Sequence, residues 1–311
     1  MSEVKNLPAS IRQRLLNKAH DNNRPFNELL QYYAIERFLY RMSRSSHSDK
    51  FILKGALMFL ALGASVYRPT RDIDFLGFTT NELDAVARII QEVCVQEVEP
   101  DGLSFDKNTV QSERIKEDAD YEGVRVNLIG YLGKAKIPLQ IDIGFTDVVS
   151  PTPIMLKYPT IFQMPAPYLR CYPPESVVAE KLHALVFLGS VNSRMKDFYD
   201  LWVLAEQFEF DGRKLQEAIN GTFQRRNTAL PSETPVGLSD SFAAENQAQW
   251  QAFIQRTHIE TVPESFSDVT RVLSSLLVSP LLTSSFGNIF EGAWKPGGPW
   301  KFVNDLSSAW P

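Results

Sequence analysis

Residues 8–20 and 26–45 carry their apolar side chains at helical spacing, the second through Leu29, Leu30, Tyr33, Ile35, Phe38, Leu39 and Met42. The pattern breaks in the serine-rich run 43–48, a polar loop. Phe51-Ile52-Leu53 is a short apolar approach to Lys54-Gly55, and a helix is expected over Ala56–Leu62, ended by Gly63 as its C-cap. The period then changes to two. Asp72-Ile73-Asp74-Phe75-Leu76-Gly77 alternates as a strand, and Thr79 with Glu82 has the spacing of a capping box opening a helix through about Gln96. Strands follow at 108–117, 124–132 and 137–145, the last two joined by a hairpin loop at 133–136. The order of elements predicts a small mixed α/β sheet.

Seven of the nineteen prolines fall between Ser150 and Glu175, a density that removes backbone donors and predicts a crossing linker over 151–174. Helices are expected at 175–188, 194–208, 212–225, 240–257 and 263–279, with Ser193 as an N-cap. The Gly-, Pro- and Trp-rich tail from Gly287 yields no element. The expected organisation is a sheet domain with N-terminal helices (1–150), the linker, and a helical domain (175–311).

A hydrophobic fraction of 44% and a charged fraction of 22% are those of an ordinary soluble globular chain. No apolar run approaches the roughly 18 residues that span a bilayer, so no membrane partner is expected. The N-terminal segment has no signal-peptide core, which makes the cytoplasm the expected location. Cys94 and Cys171, with four scattered histidines, offer no zinc-ligand spacing. A formal charge of −5 argues against nonspecific coating of nucleic acid but leaves room for a local basic patch. Arg37, Arg41 and Arg44, or Arg225 and Arg226, could form one, or could be solvated faces.

Asp72 and Asp74 are the sharpest chemical signal. Two apart on a strand, their carboxylates share a face, and hard cations such as Mg²⁺ are held by one or two carboxylates together with substrate phosphates. Their apolar neighbours make a buried-looking strand, where charge is costly without a cation or partner. Asp142, in Leu139-Gln140-Ile141-Asp142-Ile143-Gly144, is a third carboxylate of this kind. It fits a metal ligand or base in two-metal phosphoryl transfer, the alternative being a core ion pair with an arginine such as Arg125; Asp147 is a weaker substitute. Lys54-Gly55, at the start of a helix, suits phosphate, and glycine allows close backbone approach. Arg68, Thr70 and Arg71 lead into the aspartates and are candidates for nucleotide contacts. Lys181, among apolar helix neighbours, needs a partner or snorkels outward. Asp197 and Asp200 share one helix face.

Four segments in this order, Phe51-Ile52-Leu53-Lys54-Gly55-Ala56, residues 68–75 (Arg-Pro-Thr-Arg-Asp-Ile-Asp-Phe), residues 179–184 (Ala-Glu-Lys-Leu-His-Ala) and residues 193–201 (Ser-Arg-Met-Lys-Asp-Phe-Tyr-Asp-Leu), resemble the AbiEii/AbiGii-type nucleotidyltransferase toxins, relatives of which include the MenT toxins. The resemblance spans roughly residues 10–205. It implies a minimal polymerase-beta-like nucleotidyltransferase core, α/β with a mixed sheet, plus a C-terminal helical domain. It also implies transfer of a nucleotide from an NTP, to the acceptor end of tRNA in some members, and a cognate antitoxin. Carried over by position, Asp72 and Asp74 match the metal-binding pair, Thr70 the small polar residue ahead of it, Lys181 the lysine of the Glu-Lys motif and Asp197 the aspartate of the Lys-Asp motif. Lys54-Gly55-Ala56 stands where such enzymes often have Gly-Ser or Gly-Gly.

The expected function is therefore Mg²⁺- or Mn²⁺-dependent transfer of a nucleoside monophosphate from an NTP to a hydroxyl on RNA, a tRNA 3′ end in particular. Asp72, Asp74 and Asp142 would hold the metal; Lys54, Gly55, Arg68, Thr70, Arg71 and Lys181 would contact the nucleotide; Lys181 and Asp197 would belong to the catalytic set. The alternatives are a protein or small-molecule acceptor, or a catalytically silent nucleotide-binding module.

Overall fold

The segments between residues 72 and 144 in which apolar residues alternate with polar ones form four strands of a sheet. A computed structural model describes residues 6–64, 70–118, 121–147, 149–257, 259 and 261–302. Its strands β1 (Phe51–Lys54), β2 (Asp72–Gly77), β3 (Leu103–Asp118), β4 (Tyr121–Leu132), β5 (Ala135–Gly144), β6 (Ile154–Lys157) and β7 (Tyr168–Cys171) lie in the order β3-β4-β5-β2-β1-β7-β6. The sheet is mixed, as expected: β2 runs parallel to β5 and antiparallel to β1, and β1 is parallel to β7. A two-residue turn at Gly133-Lys134 joins β4 to β5, and Gly133 has the positive φ that a type II′ hairpin needs at its first position.

One face of this sheet is apolar. Leu53, Ile73, Phe75, Val124, Val126, Leu139, Ile141 and Ile143 are all buried on it. The helices of this part of the chain are α1 (Leu7–Asp21), α2 (Phe26–Arg44), α3 (Leu57–Ala61) and α4 (Leu83–Cys94), of which α2 packs on β5 and α4 on β3. The capping box expected ahead of α4 does not form. Glu82 is the N-cap residue without a side-chain bond, and the Thr80 hydroxyl instead accepts from the Glu82 N–H at 3.2 Å.

Helix α2 is buried nearly all round, and this removes Arg37 and Arg41 from the basic patch read from its arginines; Arg44, its last residue, is exposed. Arg37 is 1% exposed and pairs with Glu36 at 2.9 Å; Arg41 grips Asp101 with bonds of 2.7 and 3.1 Å. A partner sixty residues away leaves no mark in the local sequence.

Glu36 carries a pH dependence. Burial pushes its carboxyl up to about 7, against the opposing pull of Arg37 and of the Ile161 N–H. A carboxyl raised above its unfolded value stabilises the fold fully below that value, about 4.3, and loses the contribution as pH rises through the folded one. Glu36→Gln keeps an acceptor for Ile161 and has no proton to lose. Between about pH 4 and about pH 8 the unfolding free energy is expected to shift in the variant's favour by roughly 3 kcal/mol relative to wild type. Urea denaturation across that range checks this; a difference that does not move with pH would refute it.

The prolines of 151–174 do not make a plain linker. Pro159, Pro165 and Pro167 sit in the connection between β6 and β7, and Pro174 opens the next helix at its first position, where a missing N–H costs nothing. The strands between them are four residues each, too short to stand out against the proline signal.

The chain divides into two compact units, one of Met1–Leu62, Thr70–Thr146 and Ile154–Cys171, the other of Gly63–Pro69, Asp147–Pro153 and Tyr172–Pro311. The second contains α5 (Pro174–Leu188), α6 (Met195–Gln207), α7 (Gly212–Arg225), α8 (Asp240–Thr257) and α9 (Phe266–Ser285). Its core is aromatic, with Phe266 against Phe198 at 5.1 Å and against Trp250 at 5.2 Å. Short strands β8 (Phe210–Asp211), β9 (Ala293–Trp294) and β10 (Trp300–Lys301) form a second sheet in the order β10-β9-β8.

The tail thus has a structural task. Helix α9 runs through Pro280, which has no N–H for the Leu276 carbonyl, and Trp300 Nε1 donates to that oxygen at 3.0 Å instead. Trp294 Nε1 likewise donates at 2.8 Å to Ala205 O in the last turn of α6, which also accepts from the Gly297 N–H at 3.0 Å. Both tryptophans are buried packing residues. Trp310 lies outside the described residues.

Candidate active site in the sheet unit

The polar face of the sheet gathers the charged residues singled out in the sequence. Lys54 lies opposite Asp74, Asp74 opposite Asp142, Asp142 opposite Arg125, and Arg125 opposite Glu113, one row across five strands. The adjacent row is polar as well: Asp72, Gln140, Asn127 and Gln111. Asp72 and Asp74, two apart on β2, therefore share this face, which is opposite the apolar one. Lys54 is only 8% exposed.

Arg125 forms a bidentate pair with Asp142, Nε to Oδ1 and Nη2 to Oδ2 both at 2.8 Å, and Gln140 Nε2 donates to Oδ2 at 3.3 Å. Its bonds to Asp142 hold the guanidinium above its usual range against the cost of burial, with Asp72 and Glu113 adding to the field. Of the two roles the sequence left open for Asp142, the ion pair is the one seen. Among the described residues, no group of three or more His, Cys, Asp or Glu side chains is placed to hold a metal ion. Asp72 and Asp74 still fit a cation whose remaining ligands come from substrate phosphates.

Gly55 is fixed by its surroundings. It has φ +71°, and a Cβ built on it would lie 2.0 Å from Asp74 Oδ2. Glycine alone supplies both the conformation and the room. Lys54 and Gly55 were expected at a helix start; Lys54 is instead the last residue of β1, and α3 beyond it spans five residues. The Thr70 N–H donates to the Tyr32 hydroxyl at 3.1 Å, and Arg71 is exposed. Arg68 lies outside the described residues. Arg125 is expected from the sequence only as a partner for Asp142. Its signal was there, a lone cation on the polar side of an otherwise alternating strand.

In the helical unit, Lys181 of α5 bonds Asp197 Oδ1 at 2.8 Å and Asp200 Oδ2 at 2.7 Å, both on α6. Arg194 Nε reaches Asp197 Oδ2 at 2.7 Å. Burial works to raise the Asp197 carboxyl, but Lys181 and Arg194 outweigh it and hold it below its usual range. Ser193 does not cap α6; Asn192 Oδ1 accepts from the Arg194 N–H at 2.9 Å. His183 is a packed residue, bonded to Thr228 at 2.8 Å. Asp147 pairs with Arg226 at 3.1 Å, which removes Arg226 from a surface patch.

The family of the nucleotidyl transferase AbiEii toxin, of type IV toxin–antitoxin systems, matches residues 37–272. The chain belongs to this family. AbiEii membership makes it a nucleotidyltransferase with an NTP substrate, and implies a cognate antitoxin. Two solved structures are similar. One, a candidate nucleotidyltransferase from H. pylori, is 15% identical over 81% of this chain and 93% of its own, with a TM-score of 0.40. The other, JHP933 from Helicobacter pylori, is 12% identical over 81% and 90%, also at 0.40. No curated protein matches the AbiEii-family chain. No helix among the described residues is long and apolar enough to cross a membrane.

Proposed function

We propose that this AbiEii-family enzyme transfers a nucleoside monophosphate from an NTP to a hydroxyl of RNA, at a tRNA 3′ end, with Asp72 and Asp74 as ligands of Mg²⁺ or Mn²⁺. The observation that carries this reading is the charged row across β1, β2 and β5, with Gly55 pressed against the Asp74 carboxylate. The RNA acceptor rests on the family resemblance, some members of which modify the acceptor end of tRNA.

In the reaction an acceptor hydroxyl oxygen bonds the α-phosphorus, the α–β anhydride bond breaks, and pyrophosphate leaves. Asp72 and Asp74 would hold a divalent cation, which would supply positive charge beside the triphosphate. Lys54 and Arg125, on either side of Asp74 and Asp142 in the row, add fixed positive charge where negative charge builds. Asp142 would take the hydroxyl proton or a metal contact through a lone pair not engaged by Arg125 or Gln140. Gly55 keeps Asp74 in place by having no side chain. Thr70, Arg71 and Arg68 precede the carboxylates and contact the nucleotide. Lys181 and Asp197 serve through each other, as one ion pair.

The test is incubation of the enzyme with total RNA, Mg²⁺ and each α-labelled NTP in turn, beside Asp72→Ala. Label in a tRNA-sized band with wild type alone is the expected result. Label in a protein or small-molecule fraction, with none in RNA for any NTP, would sink the RNA acceptor.

A further inference from the structure

In the sheet unit, away from the carboxylate row, a cavity of about 570 Å³ is lined by residues that include Tyr40, Arg44, Asp49, Met155, Tyr168 and Arg170. Its walls are the end of α2, the loop before β1, and the edge ribbon β6–β7. In that ribbon Met155 lies opposite Arg170 and Lys157 opposite Tyr168, so all four present one face. Tyr168 is 58% exposed and Met155 47%. The Arg170 guanidinium stands over the ring of Phe78 at 5.8 Å, and Phe78 is itself 55% exposed. Arg170 Nη1 also donates to Asp49 O at 2.7 Å, which anchors the side chain at the rim.

Two arginines against one aspartate line this cavity, and Lys157 lies opposite Tyr168 in the ribbon, in a chain whose net charge is −5. Local positive charge beside exposed aromatic rings is the composition that takes single-stranded nucleic acid: rings stack on bases, and guanidinium groups meet phosphates. A cavity of this volume is also large enough for one nucleotide unit. Phe78 follows β2 directly, four residues beyond Asp74, so the cavity lies at the far end of the strand that carries the carboxylates, roughly 13 Å along it. A polymer can occupy both places at once; a small acceptor cannot.

We infer that this cavity is a second contact for a single-stranded stretch of the acceptor RNA, with Tyr168 and Phe78 as stacking faces and Arg44 and Arg170 as phosphate partners. This rests on the RNA reading of the reaction. It makes the edge ribbon a determinant of acceptor binding that acts apart from the chemistry.

The experiment uses the full chain, a fluorescein-labelled single-stranded RNA of about 12 nucleotides, and the variants Tyr168→Ala and Arg44→Ala, with melting temperatures to confirm folding. Tyr168→Ala is expected to weaken RNA binding roughly 10-fold. Arg44→Ala is expected to reduce the slope of log affinity against log salt by about 0.7, the loss of one phosphate contact. In nucleotidyl transfer both should raise KM for RNA and leave kcat and KM for NTP unchanged. Folded variants that bind and use RNA as wild type does would overturn the inference while leaving the RNA reaction standing. Wild type that turns over NTP on another acceptor and does not bind the oligonucleotide would bring down the RNA reading and this site together.

Discussion

Asp74→Asn is expected to lower nucleotidyl transfer on the order of 10³-fold, the scale at which one lost transition-state charge contact acts, with a melting temperature within about 2 °C of wild type. Asparagine has the volume of aspartate and keeps one oxygen, so the packing against Gly55 survives. What is lost is the negative charge a divalent cation needs. The position of Asp74 makes it the more sensitive of the pair, since it lies between Lys54 and Asp142 in the row while Asp72 faces Gln140. Gly55→Ala is the companion variant. It leaves every charge present but drives a methyl group to within 2.0 Å of Asp74 Oδ2, at a φ of +71° that alanine rarely adopts. Turnover should fall with it, because the carboxylate must move. The measurement is initial rate with labelled NTP together with thermal unfolding. If Asp74→Asn unfolds the protein, Asp74 is a structural partner of Lys54 and the metal assignment falls.

How much of this could be read from the sequence depended on the range of the interactions involved. The hairpin of β4 and β5, strand β2 and the long helices were legible, because period-two alternation and helical spacing are local. The aspartates of β2 were legible for the same reason: their common face follows from spacing alone. The parallel register of β2 with β5 was not, since it joins residues 74 and 142 through no local signal, and it decides which charges are neighbours. Arg37 and Arg41 failed for a related reason. A cation on a helix looks the same whether it faces water or a buried Asp101, and only the fold distinguishes them. Proline density concealed β6 and β7, the two short strands that build the edge ribbon. Pro280 misplaced the end of α9 because its compensating donor, Trp300 Nε1, comes from a tail without periodicity.

Lys181→Met is expected to destabilise the protein by about 3–5 kcal/mol, the cost of breaking a buried pair from one side. Methionine fills the space of the lysine stem among the apolar residues of α5, so the loss is electrostatic. Lys181 bridges Asp197 and Asp200, whose side chains are only 6% and 3% exposed, at 2.8 and 2.7 Å. Removing it takes a close cation from two carboxylates in a poorly solvated place. The pH dependence should change with it. A carboxyl held below its unfolded value, as Asp197 is, contributes stability above that value, about 3.9, and loses it as pH falls through the folded one. The variant should therefore lose part of the wild-type acid transition, and Lys181→Arg should restore some of the stability through the same two partners. Urea unfolding at neutral pH and during acid titration measures both effects. Falling turnover with unchanged stability would mean the opposite: Lys181 would act on the nucleotide directly, as the family resemblance implies, and the ion pair with Asp197 would be its resting arrangement.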